Sequence, residues 1–328
     1  MLKLRKISFI CIALLALLVG FFAVFQSHNS GLPTVAIANY GPHSSLQSCI
    51  KGIKDELAHQ GFEENKQIHF EIMDVNFESF LINQMLAKLK AGDPKVLVAM
   101  TTPVAQAAKN MIKNIPLVFS VVTDPVHAGL VAAPNEPAKN MTGVSEMQDL
   151  EALLNFVRLL LPDAKKAGML YAVGEANDMA LLKMMQAVAA EFDMEVLAVP
   201  VEQARDVPLR MRTFKNKADF IYVGASGPIQ PSLPAIVSAA EAMKIPVFNV
   251  NSEEVMAHRV FASFGVSYYK IGRKTGAAVA QILNGAAPGD ITPIYPTAED
   301  HEAFVSKKRS QAIGFTPPGD IRDVVFVE

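Results

Sequence analysis

The chain has 328 residues, 51% hydrophobic and 19% charged, which is enough to bury a large core and, at this length, to build two ordinary domains. Its formal charge is −2 and falls further once Lys3, Arg5 and Lys6 near the N-terminus are set aside; this argues against a nucleic-acid or anionic-membrane surface. Cysteine is confined to Cys11 and Cys49, so the body beyond residue 33 holds one thiol and no internal disulfide.

Three positive charges within Met1 to Lys6 precede an uncharged apolar run from Ile7 to Phe25, the n-region and h-region of an export signal. The run is long enough to span a bilayer, and Ala23-Val24-Phe25-Gln26-Ser27 lacks a good small-x-small cleavage site. A cleaved signal and a retained anchor over residues 7–25 therefore both stand; either way the basic end stays cytoplasmic and the body is exported. Cys11 comes before most of the apolar run, so it is not read as a lipidated cysteine.

After a polar linker from Gln26 to Leu32, apolar strands alternate with amphipathic helices, the pattern of a parallel α/β sheet. Strands are predicted over Thr34 to Tyr40, Ile68 to Met73, Val96 to Met100 and Leu117 to Val122. Helices between them carry Leu46, Ile50, Ile53 and Leu57, then span Phe77 to Lys90 and Val104 to Lys113. A second series follows: helix Asp149 to Leu161, strand Ala167 to Tyr171, helix Asp178 to Phe192, strands Glu195 to Val199 and Phe220 to Val223, helix Leu233 to Met243 and strand Pro246 to Phe248. The expected fold is α/β, two doubly wound Rossmann-like lobes joined by a hinge. Residues 1–33 form the leader and linker. Lobe 1 takes residues 34–145, with 258–285 returning to it, and lobe 2 takes 146–257, with 286–328 crossing back. Hinged lobes of this kind close around ligands.

In open parallel sheets the ligand crevice lies outside the carboxyl ends of the strands, so the residues just after each strand are the candidates. In lobe 1 these are Asn39, Tyr40, His43, Ser44 and Ser45, then Thr101 and Thr102, then Thr123 and Asp124. In lobe 2 they are Tyr171, Glu175, Asn177 and Asp178, then Ser226 and Gly227, then Asn249 and Asn251. Several have a structural reading beside the functional one. Ser44, Ser45, Thr101 or Thr102, and Asp178 suit helix N-caps, Asp124 before Pro125 is turn chemistry, and Tyr40 and Tyr171 suit core edges. A capped helix start with free amides also suits an anion.

The runs Ala99-Met100-Thr101-Thr102-Pro103-Val104-Ala105-Gln106-Ala107-Ala108, Ile115-Pro116-Leu117-Val118-Phe119 and Val122-Thr123-Asp124-Pro125-Val126-His127-Ala128-Gly129-Leu130-Val131 closely resemble a family of ABC-transporter substrate-binding proteins that includes tryptophan- and aromatic-amino-acid-type binders. Asn140-Met141-Thr142-Gly143-Val144-Ser145, Gly168-Met169-Leu170-Tyr171 with Gly174-Glu175-Ala176-Asn177, and Tyr268-Tyr269-Lys270-Ile271-Gly272-Arg273 extend the likeness over nearly everything after residue 33. The resemblance implies a type I periplasmic-binding-protein fold, a monomer that needs no cofactor, and delivery of a small solute to an ABC permease. Two positions depart from the family pattern. Ala225-Ser226-Gly227 stands where Thr-Asp-Asn is common, and Val250-Asn251 where Ser-Asp is common. Both changes remove a carboxylate, the natural partner of a ligand ammonium. The ligand expected is therefore either amino-acid-like, with Glu175, Asp178 or Glu253 supplying the charge, or a carboxylate without an amine.

Other classes find less support. Ser226 lies in Gly224-Ala225-Ser226-Gly227-Pro228, where a nucleophile elbow needs glycine at the last position. His43, His59, His69, His127, His258 and His301 are scattered without metal-ligand spacing, so no metal site and no enzyme is expected. The N-terminus carries an export signal instead of a DNA-binding helical module, and no nucleic-acid partner is expected. A membrane-tethered sensory ectodomain of the same fold is the alternative to a transport carrier.

Overall fold

Runs such as Val-Leu-Val-Ala-Met and Leu-Val-Phe-Ser-Val-Val have no polar face to turn to water, so they belong in a sheet covered on both sides. In the computed structural model, which describes residues 31–317 and 321–328, they are β3 (Val96–Met100) and β4 (Leu117–Val122), buried at every position. The leader expected over residues 7–25 lies outside the described residues. Among those described, no helix is long and apolar enough to cross a membrane.

β3 and β4 join β1 (Thr34–Asn39), β2 (His69–Asp74) and β5 (Met141–Ser145) in an all-parallel sheet of order β2-β1-β3-β4-β5. Its helices are α1 (Ser44–His59), α2 (Ile82–Ala91) and α3 (Thr102–Met111). One face of the sheet packs Ile37 and Val98 against Ile53 and Leu57 of α1; the other packs Leu97 and Phe119 with Leu86 of α2 and Val104 of α3.

Lobe 2 opens with α4 (Leu150–Leu160), capped by the Asp149 side chain, which accepts from the Ala152 amide at 2.9 Å. Then come β6 (Lys166–Ala172), α5 (Ala176–Glu191), β7 (Glu195–Val201), α6 (Val207–Met211), β8 (Phe220–Val223), α7 (Leu233–Met243), β9 (Val247–Asn249), α8 (Ser252–Met256) and β10 (Ala262–Val266). After α9 (Tyr268–Leu283) the chain adds β11 (His301–Ser306), α10 (Lys307–Ala312) and β12 (Val324–Val327). The second sheet has order β12-β11-β10-β9-β8-β6-β7, and only the β10–β11 pair is antiparallel.

The lobe boundaries differ from the sequence expectation at the second crossing. Residues 258–285 do not return as a block: β10 pairs with β9 and β11 in the lobe 2 sheet, and only α9 reaches lobe 1. The tail likewise stays with lobe 1 at first, where Ile291 is buried and Ile294 bridges Val144, before β11 rejoins lobe 2. The chain therefore crosses three times, after β5, after β10 and before β11.

Helix α9 is locked onto lobe 1 by close backbone approach. A Cβ on Gly272 would run into the Cys49 carbonyl, one on Gly52 into the Tyr269 carbonyl, and one on Gly276 would lie 2.8 Å from the Ile53 carbonyl. Arg273 pairs with Glu56 at 2.6 Å, and the Tyr269 hydroxyl donates to Asp55 at 2.9 Å along the same seam. Helix propensity alone makes Gly272→Ala favourable by about 1 kcal/mol. The collision is with backbone, which cannot swing aside, and overpacking of this kind costs about 1–3 kcal/mol. Urea denaturation of Gly272→Ala should show net destabilisation.

Candidate functional site

The loops after the parallel strands of both lobes enclose one cleft of about 540 Å³. Lobe 1 contributes Tyr40, His43 and Ser45 from the β1–α1 connection, Thr101 and Thr102 at the start of α3, Thr123 after β4 and Glu146 after β5. Lobe 2 contributes Glu175 and Asn177 from the β6–α5 turn, Ser226, Gly227 and Gln230 after β8, and Asn251 after β9. Tyr268, Leu46, Phe77, Pro103, Val121, Ala225 and Val250 complete the wall. Phe77, Thr101 and Val121 hold φ of 65°, 77° and 55°, and the β4–β5 register slips between Ser120 and Val122. Strained backbone of this kind gathers where a scaffold aims side chains at a site.

The cleft is acidic. Glu146 is 2% exposed; its carboxylate accepts from the Thr123 hydroxyl at 3.0 Å and the Tyr268 hydroxyl at 2.7 Å. Burial outweighs these two hydrogen bonds and pushes its pKa up to about 7. Glu175 accepts from the Tyr40 hydroxyl across the cleft at 3.2 Å, and burial raises its pKa as well. Asp178 stands behind the wall: it accepts from the Ala172 amide at 2.6 Å, the Ser226 hydroxyl at 2.7 Å and the Asn177 side-chain amide at 3.0 Å. Desolvation lifts its pKa to about 7. A carboxylate thus lies in contact with Ser226, in the place where the resemblance had suggested one was lost. His43 is the one histidine in the lining, and burial lowers its pKa, which favours the neutral ring. Among the described residues lining the cleft, none is lysine or arginine.

The structure brings together Tyr40, His43, Ser45, Thr101, Thr102, Thr123, Glu175, Asn177, Ser226, Gly227 and Asn251 in the lining. The other candidates stand behind or beside it. Asn39 donates to the Gly41 carbonyl, Asn249 accepts from the Asn251 amide, and Ser44 accepts from the Asn251 side chain of the opposite lobe at 3.3 Å. Asp124 accepts from the amides of Val126 and His127 in its turn, and Tyr171 packs against the lobe 2 core. The N-cap readings hold less well. His43, not Ser44 or Ser45, caps α1, Glu175 takes the cap position of α5, and Asp178 lies inside that helix. Thr101 occupies the cap position of α3 without a side-chain cap bond, so the amides of Thr102 and Val104 stay free of a cap, while Pro103 between them has none to offer. The hydroxyls of Thr101 and Thr102 and the Oδ1 of Asn177 are buried without partners.

Glu146, Tyr268 and Gln230 also line the cleft, though they are not among the candidates that the sequence offers. Glu146 directly follows β5, so recognising Met-Thr-Gly-Val-Ser as a strand would have flagged it by the same rule that found the others.

The raised carboxyls have a pH consequence. In the range from about pH 4.5 to 7 the folded state holds protons that the unfolded chain releases, so their contribution to stability is lost as pH rises through 7. The lowered His43 acts in the opposite sense, which makes a variant comparison the clean readout. The melting temperature of Glu146→Gln relative to the unmodified protein should rise between pH 5 and pH 8, measured without ligand.

A family model described as "ABC transporter substrate binding protein" matches residues 34–323. A tyrosine-binding protein of Clostridioides difficile (strain R20291) is 28% identical over 279 residues, 85% of this chain and 80% of its own. Among solved structures, the ABC domain from Streptococcus pneumoniae in complex with L-Trp matches with a TM-score of 0.85 and 25% identity, covering 90% of this chain and 100% of that one. A conserved domain protein from Vibrio cholerae gives 0.85 with 29% identity, over 90% and 99% of the two chains. The ligand-free, open structure of an adhesive substrate-binding protein from Clostridium difficile gives 0.70 with 26% identity, over 90% and 99%.

Proposed function

The chain belongs to the ABC transporter substrate-binding protein family, and from that premise we propose that its cleft captures a small amino-acid-type ligand carrying a free amine. The observation that carries this reading is the imbalance of the lining: Glu146 and Glu175 face the cleft with Asp178 behind Ser226, and none of the described lining residues is lysine or arginine. Carboxylates out of water need a cationic or donor-rich partner, and a ligand ammonium supplies one. A carboxylate without an amine would add like charge to this set. The ligand's own carboxylate fits the free amides at the start of α3, beside the unpartnered hydroxyls of Thr101 and Thr102. Leu46, Phe77, Val121 and Val250 leave an apolar remainder for the side chain. The tyrosine-binding relative and the L-Trp complex support an amino-acid ligand of that character.

In this reading the protein is a monomeric carrier and not an enzyme. It works outside the cytoplasm, closes its lobes on the ligand and hands it to a membrane permease. Residues 1–25 export the body, either as a cleaved signal or as an anchor. N-terminal sequencing of the exported protein distinguishes the two: a start near residues 27–31 marks a released carrier, whereas an intact Met1 in the membrane fraction marks a tethered one and favours the sensory ectodomain. The ligand is tested by thermal shift with L-tryptophan and L-tyrosine against their des-amino counterparts, indole-3-propionate and 3-(4-hydroxyphenyl)propionate. The amino acids should stabilise, by about 2.7 kcal/mol at a hundredfold excess over Kd, and the des-amino acids should stabilise far less at the same concentration. Equal or greater stabilisation by the des-amino acids would overturn the reading.

A further inference from the structure

Three side chains of lobe 2 form a relay whose direction is fixed by one group. Asp178 is 3% exposed, and above its raised pKa it is a carboxylate that can only accept. Its Oδ2 takes the Ala172 amide and the Ser226 hydroxyl; its Oδ1 takes the Nδ2 of Asn177. Asn177 donates from the same nitrogen to the Ala225 carbonyl at 2.9 Å, so both of its N–H groups are engaged and its orientation is settled: flipped, it would set an oxygen against two acceptors. What remains for the cleft is the unpartnered Oδ1 of Asn177, on a side chain 8% exposed, and the lone pairs of Ser226 Oγ, whose proton is spent on Asp178.

We infer that Asp178 is a positioning residue that turns Ser226 and Asn177 into acceptors toward the cleft, so that this pair selects a ligand group rich in N–H donors. Asp178 does not itself line the cleft; it acts through the two residues that do. This rests on the amine-bearing ligand proposed above and adds which lobe receives the amine. The one lining carboxyl of lobe 1, Glu146, already accepts from the Thr123 and Tyr268 hydroxyls; with donors at the start of α3 and the acceptors of Ser226 and Asn177 beside Glu175 in lobe 2, a zwitterion is oriented with its amine toward lobe 2.

The discriminating change is Asp178→Asn. Whichever way the new amide sits, an NH2 replaces one of the two accepting oxygens. On the Oδ1 side it faces the Nδ2 of Asn177 and forces that residue to turn. On the Oδ2 side it opposes the Ala172 amide and donates to Ser226, whose proton then points at the ligand. Either outcome puts a donor where an acceptor stood.

Calorimetry with L-tryptophan and indole-3-propionate at pH 8, where Asp178 is mostly ionised, reads this directly. Asp178→Asn should weaken L-tryptophan binding roughly tenfold or more, the range for a hydrogen bond to a charged group, and leave indole-3-propionate within about twofold. Because a buried acid is being changed, Ser226→Ala serves as the second variant. In that background Asp178→Asn should cost L-tryptophan markedly less, one of the two groups it orients being gone. Equal loss for both ligands, or equal loss with and without the Ser226 hydroxyl, would make Asp178 merely structural and overturn the assignment. An unmodified protein that shows no preference for L-tryptophan over indole-3-propionate would overturn the ligand reading itself, and the assignment with it.

Discussion

The carboxyl of Glu146, held almost wholly out of water where the chain first leaves lobe 1, is the constraint on which hinge and cleft both depend. Its partners come from separate segments: Thr123 follows β4, and Tyr268 opens α9 just after the second crossing. A buried acid left without partners would be strongly unfavourable, and the two hydroxyls supply what solvent no longer can. The same bonds tie two of the three crossings at one point, and the acid they hold is part of the cleft lining. The charge environment offered to a ligand and the mechanical joint of the molecule are thus one cluster. A change in one is felt in the other.

Opposite that joint the lobes meet through small and directional contacts. The Tyr40 hydroxyl reaches Glu175, the Asn251 side chain reaches Ser44, and Gly227 lies against the Tyr40 ring so closely that a Cβ could not be placed there. Neither hydrogen bond is short, at 3.2 and 3.3 Å, and both join polar groups that water can serve when the cleft opens. Closure is therefore cheap to reverse, as a carrier requires.

Much of this was legible in the sequence, and the gaps have physical reasons. β3, β4 and β8 are uniformly buried runs, and their ends agree with the reading to the residue. β5 is not legible as a strand because Met-Thr-Gly-Val-Ser mixes polar and small residues. Its glycine is there because a Cβ on Gly143 would strike the Phe119 carbonyl, and Thr142 satisfies its hydroxyl on the Ile291 carbonyl at 2.6 Å, a contact from far along the chain. β10 belongs to lobe 2 although the sequence points to lobe 1: its pattern, apolar strand then helix, is the same whichever sheet receives it, and only the pairing with β9 decides. In the cleft, the rule about strand ends located most of the lining. It could not tell a residue that faces the cleft from one that stands behind it, as the pair Ser226 and Asp178 shows.

The seam between α1 and α9 joins Gly52 to Gly272, residues from nearly opposite ends of the chain. Until α9 arrives, the face of the first sheet that carries Ile37, Val98 and Val118 lacks the cover of Ile271 and Val279. Lobe 1 therefore cannot complete its core as it is synthesised; it waits for most of lobe 2 to be made. Contacts so distant in sequence slow folding, since the loop must close before the contact rewards it. The part made first is thus kept from finishing until the part that carries α9 has been made, and for that interval lobe 1 has an apolar face left partly open.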